Sequence, residues 1–473
     1  MYITTTIPYV NARPHLGHAL ELVQADVLAR HHRRRGEPVR FQTGTDDNSL
    51  KNVLAAEAEG VPVRELVDRN AAAFEGLRQP LDLSFDAFIR TSSHPAHRAG
   101  VERIWRATGH DLYRRHYEGL YCVGCEQFYP EGPCPDGHQA PLQRVSEENW
   151  FFRLSRYQDA LLELIRGGRL RIEPAARRNE VLAFIEAGLA DISISRSAAR
   201  ARGWGIPVPG DPGQVIYVWW DALANYVTAL EGDDYDRWWV AERRKAHLVG
   251  KGVIRFHAVY WPAMLLSAGA PLPTEIYVHD YLTVDGRKIS KSAGNTADPA
   301  ELVDAYGVDA VRWWLLRDVP RVGDADFTEE RLARRADEDL ANGLGNLVNR
   351  VVTMVHRFLD GHVPDAPGEE FAEVPGKVHE ALEDFDFRRA AAAVWEIVEE
   401  SNRYVEQTWP WQQDRAGQEA SLGTLVHACR ALAVHLEPFL PTAAARVAAA
   451  VSGERLPRPE PLFRRLAATR TTG

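Results

Sequence analysis

Residues 2–10 (Tyr-Ile-Thr-Thr-Thr-Ile-Pro-Tyr-Val) are mostly β-branched or aromatic, as a strand covered on both faces requires. A turn at 11–14 follows, and apolar positions then recur at helical spacing over 16–35. Residues 39–43 read as a second strand, and 50–59 and 63–77 as helices. This alternation predicts a parallel sheet with right-handed crossovers. Ligands of such sheets sit at the carboxyl ends of the strands, which here are 7–11 and 44–48. The pattern breaks over 110–150, where Gly, Pro, Cys and His accumulate, and this stretch reads as an insertion. It resumes with short strands at 193–195, 247–250 and 276–278, and with helices after Trp219 and over 253–267. From 328 to 451 the chain reads as helical, with loops near 361–375 and 412–418, and predicts a bundle.

The expected organisation is therefore an α/β, Rossmann-like parallel-sheet domain in two halves, 1–109 and 151–327. A metal-knuckle insertion (110–150) separates them, and a helical domain (328–451) and a Pro- and Arg-rich tail (452–473) follow. That tail is expected to be poorly ordered. A chain of 473 residues exceeds one core, which agrees with several domains.

Composition, at 45% apolar and 26% charged, is that of a globular protein. No apolar run reaches the roughly 18 residues of a membrane span. The N-terminus lacks a basic region and a small-residue cleavage site, so a cytoplasmic location is expected. The net charge of −10 gives no support to nucleic-acid binding, yet a local basic patch would suffice. Arg33-Arg34-Arg35, Arg243-Arg244-Lys245 and the arginines of the tail are the runs that could supply one.

Three of the four cysteines fall within thirteen residues. Cys122-x2-Cys125-x8-Cys134-x3-His138 offers three thiolates and an imidazole, the donor set of a closed, structural Zn²⁺ site. Cys429, inside a helical pattern, reads as a buried apolar residue.

Two motifs carry chemistry. His15-Leu16-Gly17-His18 stands where a helix begins, where imidazoles and free N–H groups can face phosphate. Lys288-Ile289-Ser290-Lys291-Ser292 lies between Gly286 and Gly294, and its lysines can follow the charge of a triphosphate. Together the pair resembles the two signatures of class I aminoacyl-tRNA synthetases, and the surrounding residues are most similar to methionyl-tRNA synthetases over about 1–450.

That resemblance implies attack of an amino-acid carboxylate on ATP, giving an aminoacyl-adenylate that is passed to tRNA. His15, His18, Lys288 and Lys291 are the implied catalytic groups, with Gly17 and Ser290 also at ATP and Mg²⁺ sharing the phosphate charge. The implied amino-acid site holds Asp46 for the ammonium group. Ile7, Tyr9, Trp219, Ala222, Tyr226, His257 and Trp261, together with Leu223 and Val253, would enclose the side chain. Arg196 matches a further family position. In the helical domain Asn346, Arg350 and Trp411 match residues that read the anticodon. The chemistry suits the role, since an aromatic face stacks on an unstacked base while Asn and Arg bond its edge. The cysteine cluster matches a knuckle in the family's insertion.

Three departures stand at the implied cleft. Relatives read Gly-Thr-Asp-Glu-His-Gly where this chain has Gly44-Thr45-Asp46-Asp47-Asn48-Ser49. Gly252 stands where they carry an aspartate, and Asp280 where they carry a glycine. These leave a second function open, a paralogue that passes an activated amino acid to a small amine or hydroxylamine without tRNA. It resembles the synthetase-like domains of hydrazine-forming enzymes, in which a cupin domain completes the reaction. No cupin segment is evident here, so that reading implies a separate partner enzyme. A non-catalytic tRNA-binding protein is the third reading, and the two intact signatures argue against it.

Overall fold

The computed structural model describes residues 1–122, 127–129, 142–284, 286–289, 297–364 and 371–466. The chain divides into two compact units. The first comprises Met1–Pro14, Glu37–Gly76 and Phe85–His279; the second comprises His15–Gly36, Leu77–Ser84 and Asp280–Gly473.

The first unit is built on a six-stranded sheet, all of its pairs parallel. Its order runs Ala87–Arg90, Arg40–Thr45, Tyr2–Thr5, Lys245–Gly250, Glu275–His279, Arg171–Glu173. Tyr2–Thr5, Lys245–Val249 and Glu275–His279 are buried throughout, as strands covered on both faces must be. The chain runs outward from Tyr2–Thr5 through Arg40–Thr45 to Ala87–Arg90 on one side; on the other it lays Arg171–Glu173 at the far edge before Lys245–Gly250 and Glu275–His279 fill the places between. The two central strands, Tyr2–Thr5 and Lys245–Gly250, mark the topological switch.

The first strand stops at Thr5 rather than running to 10. Pro8 has no N–H for a ladder, and beyond it only one bridge, Tyr9 to Asp46, continues the pairing. The Pro8 carbonyl accepts from Asp46 N at 2.9 Å, which holds the two strand ends together. The expected helix over 253–267 is a composite: a 3-10 turn Lys251–Val253, a π-helical turn Phe256–Tyr260 and an α-helix Trp261–Ala268. Such π-turns widen a helix locally and recur at functional sites.

The stretch read as an insertion contains regular structure. Leu112–Cys122 and Gln143–Phe152 form a long antiparallel ladder flanked by Gln127–Tyr129 and Ile192–Ser193. Its Arg, His and Glu content hid the alternation, because both faces carry polar residues there.

The second unit contains the helix Leu16–Arg34, a small sheet, and a run of helices from Pro299–Tyr306 to Pro441–Ala450. The helices Asn346–Leu359, Val374–Glu383, Phe387–Thr408, Arg415–Leu436 and Pro441–Ala450 make the expected bundle. Residues 452–466 are not loose, contrary to expectation. Leu456 N donates to Gly361 O (2.9 Å), Val363 N to Glu454 O (2.8 Å) and Leu466 N to Asp337 Oδ1 (2.7 Å). Among the described residues no helix is long and apolar enough to cross a membrane.

At the centre of this unit lies a fully buried ion pair, Arg312 to Asp26 at 2.8 Å. Arg312 also donates to the carbonyls of Leu81 (2.9 Å), Phe439 (2.8 Å) and Pro438 (3.2 Å). Asp26 also accepts from Arg30 Nε (2.8 Å) and from the Ser84 N–H (2.7 Å) and hydroxyl (2.6 Å). Breaking such a pair from one side leaves a buried charge and costs about 3–5 kcal/mol. Arg312→Ala is therefore expected to lose about that much in urea unfolding followed by circular dichroism. The double change Asp26→Leu, Arg312→Met should recover only part of it, because Arg30, Ser84 and the three carbonyls each lose a partner.

Candidate active site

His15 is the N-cap of the helix Leu16–Arg34, its backbone extended and its Nδ1 accepting from Gly17 N at 3.1 Å. His18 Nδ1 accepts in turn from His15 N at 3.1 Å. This is a capping box made of imidazoles in place of the usual Ser and Glu. The rings stack with centroids 3.8 Å apart. A ring that accepts at Nδ1 carries its proton on Nε2, so both histidines hold an Nε2–H donor. A Cβ on Gly17 would meet His15 Cε1 at 3.0 Å and Nδ1 at 3.1 Å, so glycine here makes room for the His15 ring.

The lysine loop begins as a hairpin. Arg287–Lys288 pairs antiparallel with Leu282–Val284, and Gly286 takes the turn at φ +68°. Asp326 Oδ1 accepts from Gly286 N (2.8 Å) and from the Thr283 hydroxyl (2.7 Å). These bonds, the Gly286 N–H foremost, hold the Asp326 carboxyl below its ordinary pKa, so it clamps the hairpin as an anion. Ile289 is buried. Ser290 and Lys291 lie outside the described residues.

In the first unit the expected amino-acid-site residues come together. Trp219 stacks on Phe256 at 3.8 Å and meets Tyr9 edge-on at 6.0 Å and His257 at 6.4 Å. Tyr226 lies 5.7 Å from His257 and 6.1 Å from Trp261. Ile7 and Ala222 share a small buried cluster with Ile89 and Ala229. The carbonyl of Val253 accepts from His257 Nδ1 at 2.9 Å, which puts the proton on Nδ1. In the neutral ring Nε2 then accepts from the Tyr226 hydroxyl at 2.7 Å. Asp46 is 1% exposed at the end of its strand and accepts from Asn48 N at 3.2 Å. The indole N–H groups of Trp219 and Trp261 are buried without a hydrogen-bond partner among the described residues.

Comparison with known proteins shows the family. The family model described as tRNA synthetases class I (M) matches residues 1–143 and 138–352. A second, the anticodon binding domain of methionyl tRNA ligase, matches 365–471. The chain is 41% identical to the methionine–tRNA ligase of Caldanaerobacter subterraneus subsp. tengcongensis, over 93% of this chain and 72% of that one. It is 39% identical to that of Brucella suis biovar 1, over 98% and 97%. Its structure superposes on Mycobacterium tuberculosis methionyl-tRNA synthetase in complex with methionyl-adenylate with TM-score 0.90, at 36% identity, covering 98% and 99% of the two chains. The apo form of the same enzyme gives 0.83.

This chain belongs to the methionyl-tRNA synthetase family.

Each departure from the synthetase motifs except Gly252 has a local partner. Ser49, fully buried, caps the helix Leu50–Glu59 by accepting from Lys51 N at 3.1 Å. Asn48 donates from Nδ2 to Asp221 at 2.8 Å. Asp280 is buried and accepts from Gly323 N at 2.6 Å. Gly252 lies in the 3-10 turn Lys251–Val253, and nothing in the structure explains its exchange for aspartate.

Elsewhere in the synthetase, Arg196 is buried over the rings of Tyr121 and Tyr217. Asn346 opens the helix Asn346–Leu359 and is exposed, and Arg350, one turn on, is half-buried. Trp411 is 43% exposed beside Trp409, so it is not a core residue of the bundle. Cys122 ends the strand Leu112–Cys122, buried and paired with Gln127. Cys125, Cys134 and His138 lie outside the described residues.

Sequence reasoning missed the groups behind the aromatic wall. His247 is fully buried, 4.2 Å from the Tyr226 ring and 2.5 Å from the Thr4 hydroxyl. Tyr2 donates to Gln42 Oε1 (2.5 Å) and to Tyr226 O (2.9 Å). A strand histidine amid apolar residues reads as core, and only the sheet register reveals it against Thr4.

Burial first, then His257 and Lys245, push the His247 pKa well below its ordinary 6.5. The unfolded chain binds a proton there as pH falls through that value while the native state does not. His247 therefore removes stability on the acid side and is neutral above it. His247→Asn is expected to flatten the loss of urea-unfolding free energy between about pH 7 and 5 relative to the parent. An unchanged slope would mean that other groups dominate that limb.

Proposed function

We propose that this chain activates methionine with ATP and ligates it to tRNA. The carboxylate of the amino acid attacks the α-phosphorus, a phosphorus–oxygen bond to pyrophosphate breaks, and an adenylate forms. The 3′-terminal adenosine of tRNA then takes the aminoacyl group and AMP leaves. The protein's contribution is positioning and charge stabilisation. The observation that carries this reading is the convergence of Tyr9, Asp46, Trp219, Ala222, Tyr226, His257 and Trp261 at the carboxyl ends of Tyr2–Thr5 and Arg40–Thr45 and on two following elements.

In this reading the His15 and His18 Nε2–H groups donate to phosphate oxygens, and Gly17 lets the nucleotide approach the backbone. Lys288, Ser290 and Lys291 receive the leaving pyrophosphate, and Mg²⁺ bound with ATP shares its charge. Asp46 takes the ammonium group. Ile7, Tyr9, Trp219, Ala222 and Trp261 face a thioether, a polarizable group that favours aromatic edges. The Val253 carbonyl fixes the tautomer of His257, and Tyr226 donates to its Nε2. Asn346, Arg350 and Trp411 read the anticodon. Cys122, Cys125, Cys134 and His138 fit Zn²⁺ as a closed donor set, which would brace the insertion without joining the chemistry. The setting is the cytoplasm, where such thiols stay reduced. The local partners of Asn48, Ser49 and Asp280 give these departures structural roles that call for no other acceptor.

ATP–pyrophosphate exchange against the common amino acids, without tRNA, tests the first step, and methionine alone is expected to support it. Exchange with a different amino acid would overturn the methionine reading, and exchange without charging of tRNA would return the tRNA-independent paralogue. Tyr226→Phe removes a buried hydrogen bond and should cost about 1–2 kcal/mol, or roughly 5–30-fold in kcat/KM for methionine, with KM for ATP unchanged. Base stacking is worth about 1–3 kcal/mol. Trp411→Ala should therefore lower tRNA charging by a factor of roughly 5–150 while leaving exchange intact.

A further inference from the structure

Asn48 is bonded at both its backbone and its side chain to groups of the candidate amino-acid site. Its N–H donates to Asp46 Oδ1 at 3.2 Å, and its Nδ2 donates to Asp221 Oδ2 at 2.8 Å. Asp221 is 1% exposed and lies on the helix Val218–Thr228, between Trp219 and Ala222. Its second oxygen, Oδ1, faces His97 Nε2 at 2.7 Å. His97 is fully buried, and its Nδ1 meets the Thr228 hydroxyl at 2.6 Å, on the last residue of that same helix. The Asp221 carboxylate is thus held from two sides. An imidazole from the helix His97–Ala107 holds one oxygen, and an amide from the loop after Arg40–Thr45 holds the other.

We infer that Asn48 is a positioning residue for the amino-acid site, tying the loop that carries Asp46 to the helix that carries Trp219, Ala222 and Tyr226. The inference rests on the proposed role of Asp46 as ammonium acceptor. The Asn48–Asp221 bond fixes the separation between that carboxylate and the aromatic wall, the span a bound amino acid must bridge from ammonium group to side chain. The residue type follows from the geometry. Asp221 Oδ2 needs a donor, so Asn48→Asp would set two carboxylates against each other and Asn48→Ala would leave a buried oxygen without its bond. Histidine offers Nδ1–H at the same number of bonds from the backbone as the amide nitrogen of asparagine, and so can make the same tie.

The test is ATP–pyrophosphate exchange by the full chain, with KM for the amino acid and for ATP measured separately. Asn48→Ala is expected to raise KM for the amino acid by about tenfold or more while KM for ATP stays within about twofold. N48D, close to isosteric, should raise it at least as far, and N48H should restore it to within about threefold of the parent. An amino-acid KM unchanged in N48A, equal rises in both KM values, or an N48H no better than N48A would each overturn the inference. If N48A does not fold, N48S, whose hydroxyl is too short to reach Asp221, replaces it with the same expected split. Parent and variants are compared with whichever amino acid the parent activates. Lack of methionine exchange in the parent would sink the functional reading, whereas methionine exchange indifferent to position 48 would sink only this inference.

Discussion

Tyr2–Thr5 hydrogen-bonds on one side to Arg40–Thr45 and on the other to Lys245–Gly250, a partner more than two hundred residues away. Everything at the candidate amino-acid site hangs on that second pairing. It brings the ends of Tyr2–Thr5 and Arg40–Thr45, which continue into Ile7, Tyr9 and Asp46, beside Gly250 and the turn that leads to His257 and Trp261. Parallel pairing across such a separation carries a large loop-closure cost, which only burial of both sheet faces can offset. The burial of the two central strands, complete but for Gly250, is therefore the physical condition for the site. The same register sets Thr4 against His247 and so places a buried imidazole behind Tyr226.

Hydrogen bonds decide what each histidine can do, and they decide differently in the two units. His15 and His18 both accept from backbone N–H groups at Nδ1, so the local fold of a helix N-terminus leaves them as Nε2 donors. Donors suit a site where negative charge accumulates on phosphate. His257 is held the other way, its Nδ1–H given to Val253 O and its Nε2 occupied by Tyr226. Both ring nitrogens of His257 are thus engaged within the fold. The π-helical turn that contains it, which periodicity could not foresee, offsets the ring from regular helical spacing.

Much of this was legible in the chain. The β-branched run at 2–10 and the helical patterns at 16–35, 50–59 and 63–77 gave the parallel sheet its opening elements, and the two signature motifs pointed to the family. What was not legible follows from long-range geometry. His97 and Asp221 stand 124 positions apart and carry no mutual spacing signal; only the fold puts them 2.7 Å from each other. The ladder Leu112–Cys122 with Gln143–Phe152 was hidden because its polar residues fall on both faces. The tail over 452–466 reads as loose by composition, yet backbone bonds to Gly361 and to Asp337 hold it. Composition predicts propensity, and a docked segment is held by partners that propensity does not see.

The motif departures carry a further lesson about charge. Asn48 stands beside the buried carboxylate of Asp221, and Asp280 is itself a buried carboxylate; neither position leaves a bare charge in the interior. Asp221 keeps two donors through Asn48 and His97, and Asp280 receives the Gly323 N–H. A buried carboxylate without such donors would cost several kcal/mol, on the order of the whole margin by which a domain stays folded. In this chain both positions hold residues that complete a hydrogen bond. A chain can drift from the family motif there while its pocket keeps its shape, because the shape depends on which groups donate and accept rather than on residue identity.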